Sequence, residues 1–139
     1  MELNSAKDIL ISGNYTCVLV KEDNVVTSYE RGVKPLVNLI RSGEDFSDFH
    51  AADKVIGKAT AFLYVLLQVK SVYASVISES ALQVLTDNGI SVEYETLVKN
   101  IINRRGDGIC PFEDAVLSVE DADEALAVII NKMQEMGIE

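Results

Sequence analysis

Two polar runs interrupt an otherwise apolar chain: Ala52-Asp53-Lys54-Val55-Ile56-Gly57-Lys58-Ala59 and Asn103-Arg104-Arg105-Gly106-Asp107-Gly108-Ile109-Cys110-Pro111-Phe112-Glu113. In the first, Lys58 stands between Gly57 and Ala59, whose small size lets a ligand or another backbone approach closely. A lysine one turn into an apolar helix needs a partner or a pocket, so Lys58 is the first candidate for a cation that fixes an anion. Lys54 lies four residues earlier on the same expected helical face. The plainer alternative is that Asp53 caps the helix and both lysines reach solvent or pair with acidic neighbours.

In the second run Cys110 precedes Pro111, a favoured first residue of a helix, which places the thiol at the N-cap where backbone N–H groups favour the thiolate. Such a cysteine can act as a nucleophile. Glu113, at the third helical position, suits either capping back to the Cys110 amide or acid–base work beside the thiol, and Asp53 is a further acid–base candidate. A small buried cysteine with a capping glutamate fits the same residues. The single histidine, His50, would have to activate the thiol, and it reads as a solvated loop residue. Asn103-Arg104-Arg105-Gly106-Asp107-Gly108 has the glycines and the planar guanidinium forks of an anion-binding loop, without Walker or dinucleotide spacing. Equally, it is a charged turn whose arginines meet the carbonyls at a helix end. Lys54, Lys58, Arg104 and Arg105 are four of the twelve basic residues, which concentrates positive charge in these two runs.

The 139 residues, 48% of them hydrophobic, fit one domain spanning 1–139 with a core that needs no staples. A net charge of −10 repels phosphate backbones and anionic membrane surfaces, so neither nucleic acid nor a membrane is an expected partner. Cys17 and Cys110 have no metal-ligand spacing and read as two free thiols of a reducing cytoplasm, although a bridge between them stays open. No leader is visible and no apolar run reaches the ~18 residues of a membrane span.

The elements that must carry these residues follow from periodicity. Leu3, Ile9 and Leu10 mark a first helix stopped by Gly13. Tyr15 to Lys21 and Val25 to Glu30 form a hairpin across Glu22-Asp23-Asn24. Pro35 opens a helix that Ser42-Gly43 ends, and a loop runs from Glu44 to Phe49. A central helix is expected from Asp53 to Gln68, apolar on every face beyond its start and therefore packed on several sides. Ser71 to Ile77 is a strand. Ser80 with Gln83 forms a capping box for the next helix, which stops at Gly89, and Ser91 to Tyr94 is a parallel strand. A helix from Thr96 to Arg104, the Gly106/Gly108 loop, a short helix from Pro111 and a last helix from about Asp121 to Met136 complete an α/β/α sandwich with a mixed sheet. Glu120, Asp121, Asp123 and Glu124 complement the dipole at the start of that last helix.

This order of elements resembles the cytidine deaminase-like fold. Asp53-Lys54-x-x-Gly57-Lys58-Ala59, with Asn103-Arg104 and Cys110-Pro111-x-Glu113 far downstream, is similar to a small prokaryotic family of unknown function placed in that superfamily. The resemblance implies the fold over nearly the whole chain and brings no activity with it. Zinc deaminases of the superfamily carry His-x-Glu or Cys-x-Glu at the start of the central helix and Pro-Cys-x-x-Cys at the start of the next. Here those places hold Asp53-Lys54-Val55 and Ser78-Glu79-Ser80-Ala81, with no thiolate. His50, Cys110 and Cys17 come from unrelated segments, so no metal and no other cofactor is expected.

Three functions remain. One is a metal-independent site for an anionic or nucleotide-like small molecule, with Lys54, Lys58, Asn103 and Arg104 binding it and Asp53, Cys110 and Glu113 near a reacting end. The second is a hydrolase or transferase centred on Cys110. The third is a non-catalytic structural or regulatory domain, compatible with a homodimer, whose polar motifs hold helix ends in place.

Overall fold

The computed structural model describes residues 2–30, 32–102, 106 and 108–138. Helix α1 (Glu2–Gly13) leads into β1 (Cys17–Lys21) and β2 (Asn24–Ser28), followed by α2 (Lys34–Ser42), β3 (His50–Ile56), α3 (Lys58–Leu67) and β4 (Ser71–Ser78). Then come α4 (Glu79–Asp87), β5 (Ser91–Val98), α5 (Pro111–Ala115) and α6 (Ala122–Glu135). The five strands form one mixed sheet in the order β2-β1-β3-β4-β5. β1 runs antiparallel to both β2 and β3, whereas β3, β4 and β5 are parallel. The α/β class with a mixed sheet is as expected from the sequence.

The hairpin closes with Lys21 opposite Asn24. Glu22 at its tip takes φ 55°, the left-handed conformation that two-residue loops use to follow the strand twist. Gly43 ends α2 at φ 76° and donates its N–H to Ile40 O, the glycine stop that the sequence indicated.

Alternation along the strands divides the apolar residues between two cores. Ala6 and Leu10 of α1 pack with Val18, Val20, Ala52 and Tyr73 on one face. The larger core on the other face holds α3, whose Ala59, Ala61, Phe62, Leu63, Tyr64 and Leu67 are buried. α2, α4 and α6 all pack against α3, which is why its sequence is apolar on every side. Among the described residues no helix is long and apolar enough to cross a membrane.

Three expectations need correction. The central helix does not begin at Asp53: His50–Ile56 is the middle strand of the sheet, and α3 starts only at Lys58. The polar residues read as a helix start are carried by a strand because each is satisfied sideways, Asp53 by Tyr64 and Lys54 by Asn14. Lys54 and Lys58 therefore share no helical face. Next, Thr96 is not a helix start, since β5 continues to Val98 by pairing with β4 through Ser78↔Val98. The end of that expected helix falls on Asn103 and Arg104, which lie outside the described residues. Finally, α4 is capped by Ser78, whose Oγ accepts from Ala81 N at 3.2 Å, two residues before the expected Ser80.

Candidate functional site

Parallel pairing brings the carboxyl ends of β3 and β4 to one end of the sheet, where α3 and α4 begin. In open α/β sheets this is where ligand crevices form. α4 supplies its own cap through Ser78. α3 does not: its N-cap is Gly57, in an extended conformation with no side chain to accept the first helical N–H groups. The acceptor comes from 55 residues downstream, where Glu113 Oε2 takes a hydrogen bond from the Lys58 N–H.

Glu113 can reach that N–H because of what the two motifs contain. Pro111 starts α5 with Cys110 as its N-cap residue, which sets Glu113 one turn in and buried, at 5% exposure. A Cβ on Gly57 would come within 2.7 Å of the Glu113 carboxyl carbon. Glycine is thus required here for close approach, as the sequence suggested, but the group that approaches is the chain's own carboxylate. The contact is reciprocal, because the Lys58 side chain crosses the other way. Its Nζ donates to Leu117 O at 3.0 Å, just beyond the end of α5, and lies 5.8 Å from the Phe62 ring centroid. An ammonium at a helix carboxyl end meets carbonyls that have no helical partner. Each motif so closes a helix end in the other: Glu113 holds the start of α3, and Lys58 holds the end of α5.

The other expected site residues lie apart from this clasp. Glu113 does not cap the Cys110 amide, which donates instead to Ile101 O at 2.9 Å. Cys110 is a partly buried free thiol beside the clasp. His50 is not a loop residue. It opens β3 and bonds Ser71 Oγ through Nδ1, at the opposite end of the strand from Gly57 and roughly 20 Å away at the rise of an extended chain. The structure does not bring it to Cys110. Lys54 Nζ donates to Asn14 Oδ1 at 2.7 Å, beside the end of α1. Asn103, Arg104, Arg105 and Asp107 lie outside the described residues.

Asp53 belongs to a second cluster that the sequence reading missed. It sits opposite Cys17 in the β1–β3 register. Its Oδ2 accepts from the Tyr64 hydroxyl at 2.7 Å, its Oδ1 from Val55 N at 3.2 Å, and Tyr64 Oη lies 3.2 Å from Cys17 Sγ. Burial pushes the Asp53 carboxyl up to about 7, against the lowering effect of the Tyr64 and backbone hydrogen bonds. Burial also drives the Cys17 thiol far up, reinforced by the negative charge of Asp53, and the same two influences raise the Tyr64 phenol. Thiol and phenol are therefore neutral at neutral pH, and Asp53 is the member of the trio that titrates there. The signal in the sequence was Tyr64 itself, the one polar side chain in the run from Ala61 to Leu67, which otherwise holds Ala, Phe, Leu and Val. Among the described residues no three His, Cys, Asp or Glu side chains cluster so as to hold a metal ion.

Comparison with known proteins gives a family. A family described as a domain of unknown function (DUF1893) matches residues 5–133. Among solved structures, the chain is similar to a DUF1893 family protein from Thermotoga maritima (TM1506), with a TM-score of 0.88 and 27% identity over 94% of this chain and 89% of that one. No curated protein matches. The Lys58–Glu113 clasp thus joins two distant parts of one recognised domain, and the chain belongs to the DUF1893 family, a family of unknown function.

Proposed function

We propose that this chain is a non-catalytic structural or regulatory domain of cytidine deaminase-like fold, in which the two polar motifs close on each other. The observation that carries this is the reciprocal contact: Glu113 accepts from the Lys58 N–H while Lys58 Nζ donates to Leu117 O. The N-terminus of α3, where an anion would be drawn, is taken by an internal carboxylate, and the lysine that would hold the anion is turned to a carbonyl. A phosphate or carboxylate ligand would have to displace Glu113 from its place against Gly57. A Cys110 nucleophile would lack the histidine, which lies at the far end of β3. The fold assignment draws support from the strand order and from the apolar α3 that follows the middle strand. Two free cysteines suit a reducing cytoplasm.

Thermal unfolding with inorganic phosphate, nucleotides and small dicarboxylates tests the proposal, because a ligand that binds only the folded chain raises its Tm. The wild-type Tm stays unchanged with each of them, and Lys58→Met lowers Tm in the absence of any ligand. A saturable rise in the wild type that disappears in a folded Lys58→Met variant would overturn the proposal in favour of an anion-binding site.

A further inference from the structure

β5 ends the sheet, and among the described residues no strand pairs with its outer edge. It is eight residues long, against five for β2 at the other edge, and its Tyr94 and Leu97 are 42% and 41% exposed. A long, partly apolar edge with unpaired N–H and C=O groups is a template for another strand, and natural chains usually shorten or cover such edges. We propose that β5 pairs antiparallel with β5 of a second copy of this chain, joining two sheets across a twofold axis that runs between Thr96 and its copy.

The charges along the strand select that register. A twofold axis normal to the sheet must run midway between one residue of β5 and its own copy, so that opposed side chains share a face. Centred on Tyr94, the pairing sets Glu93 against Glu95 twice. Centred on Glu95, it sets that carboxylate against its own copy. Like charges directly opposite each other destabilise a ladder. Centred on Thr96, it pairs Tyr94 with Val98 and Glu95 with Leu97 inside β5, and it brings Glu93 opposite Lys99 of the second copy, the first residue past the end of the strand, at both ends. Moving the axis to Leu97 again puts an acid, Glu95, opposite Lys99 but pairs only Thr96 to Val98 within β5, against Tyr94 to Val98 for the Thr96 register. The Thr96 register gives the longest ladder free of like-charge pairs, and it covers Tyr94 and Leu97. Glu93 and Lys99 are both exposed in the single chain and free to meet a partner. This surface does not involve the Lys58–Glu113 clasp, so either proposal can fail without the other.

Sedimentation equilibrium of the full chain near physiological salt tests the dimer, with Glu93→Lys, Lys99→Glu and the double exchange as variants and circular dichroism as the check on folding. The expected result is a wild-type dimer whose dissociation constant rises about tenfold or more in each single variant, since both symmetric ends turn from attraction to repulsion, and returns close to the wild-type value in the double exchange. A wild-type chain that stays monomeric up to millimolar concentration overturns the proposal. So does a dimer that neither single variant weakens or that the double exchange does not restore.

Discussion

Asp53 makes the stability of this domain depend on pH in a direction unusual for a carboxylate. An unfolded aspartate titrates near ~3.9, whereas desolvation of its carboxyl beside Tyr64 lifts the folded Asp53, a residue partly buried over its whole surface, to about 7. Between these values the folded chain keeps a proton that the unfolded chain releases. The contribution is therefore full below about pH 4 and is lost as pH rises through about 7. From about pH 5 to pH 8 the loss amounts to roughly 2.5 kcal/mol, a large part of the ~5–15 kcal/mol that holds a domain together. Asp53→Asn removes the titration and preserves the shape. The amide oxygen can accept from Val55 N and the amide nitrogen can donate to Tyr64 Oη, which leaves the phenol hydrogen for Cys17 Sγ. Urea unfolding of both proteins at several pH values isolates the effect, because other titrations cancel in the difference. The variant gains on the wild type by roughly 2.5 kcal/mol between about pH 5 and pH 8. A flat difference, or a wild type that gains on the variant as pH rises, would refute the view that the carboxyl is forced towards neutrality by burial.

The same cluster and the two thiols yield further expectations. Tyr64→Phe removes the hydroxyl that favours the ionised carboxylate and also contacts Cys17, so it destabilises the fold by about 1–3 kcal/mol and moves the Asp53 midpoint above its wild-type value, as the same pH series would reveal. Alkylation of the native chain, mapped by mass spectrometry, modifies the partly buried Cys110 well before Cys17, whose thiol is buried and strongly disfavoured as a thiolate. Equal rates would mean that the β1–α3 contact opens readily.

Much of the fold was legible in the sequence. The hairpin followed from β-rich runs around Glu22-Asp23-Asn24, α2 from Pro35 and Gly43, and the α4 crossover from Gly89 and the flanking strands, since local turn chemistry and apolar period decide these elements. β3 was hidden because His-Ala-Ala-Asp-Lys-Val-Ile carries two charges and two alanines, none of them strand formers. Its charges are tolerated through Tyr64, eleven residues away, and Asn14, forty residues away. β5 past Tyr94 was hidden for a related reason: Glu95 and Thr96 carry no apolar stripe on an exposed edge, and only the pairing with β4 defines the strand. At the candidate site the sequence marked Gly57, Lys58 and Glu113 as residues of consequence. It could not say that they meet each other, because a contact across 55 residues leaves no local pattern. Of the Cys17–Tyr64–Asp53 cluster the sequence offered only Tyr64 as a signal and not its partners, since the three members come from β1, α3 and β3.

The central claim is that the two motifs exist to close on each other, and a double-mutant cycle between Gly57 and Glu113 tests it most directly. Gly57 has φ −95°, so alanine meets no backbone strain there, and the three atoms nearest to its methyl group all belong to the Glu113 side chain. Gly57→Ala alone must expel that carboxyl from the start of α3 and leave the Lys58 N–H without its acceptor, at a cost of about 1–3 kcal/mol. In a Glu113→Ala background the conflict is already gone, so the same substitution costs less than about 0.5 kcal/mol. Costs that simply add in the double variant would contradict the clasp.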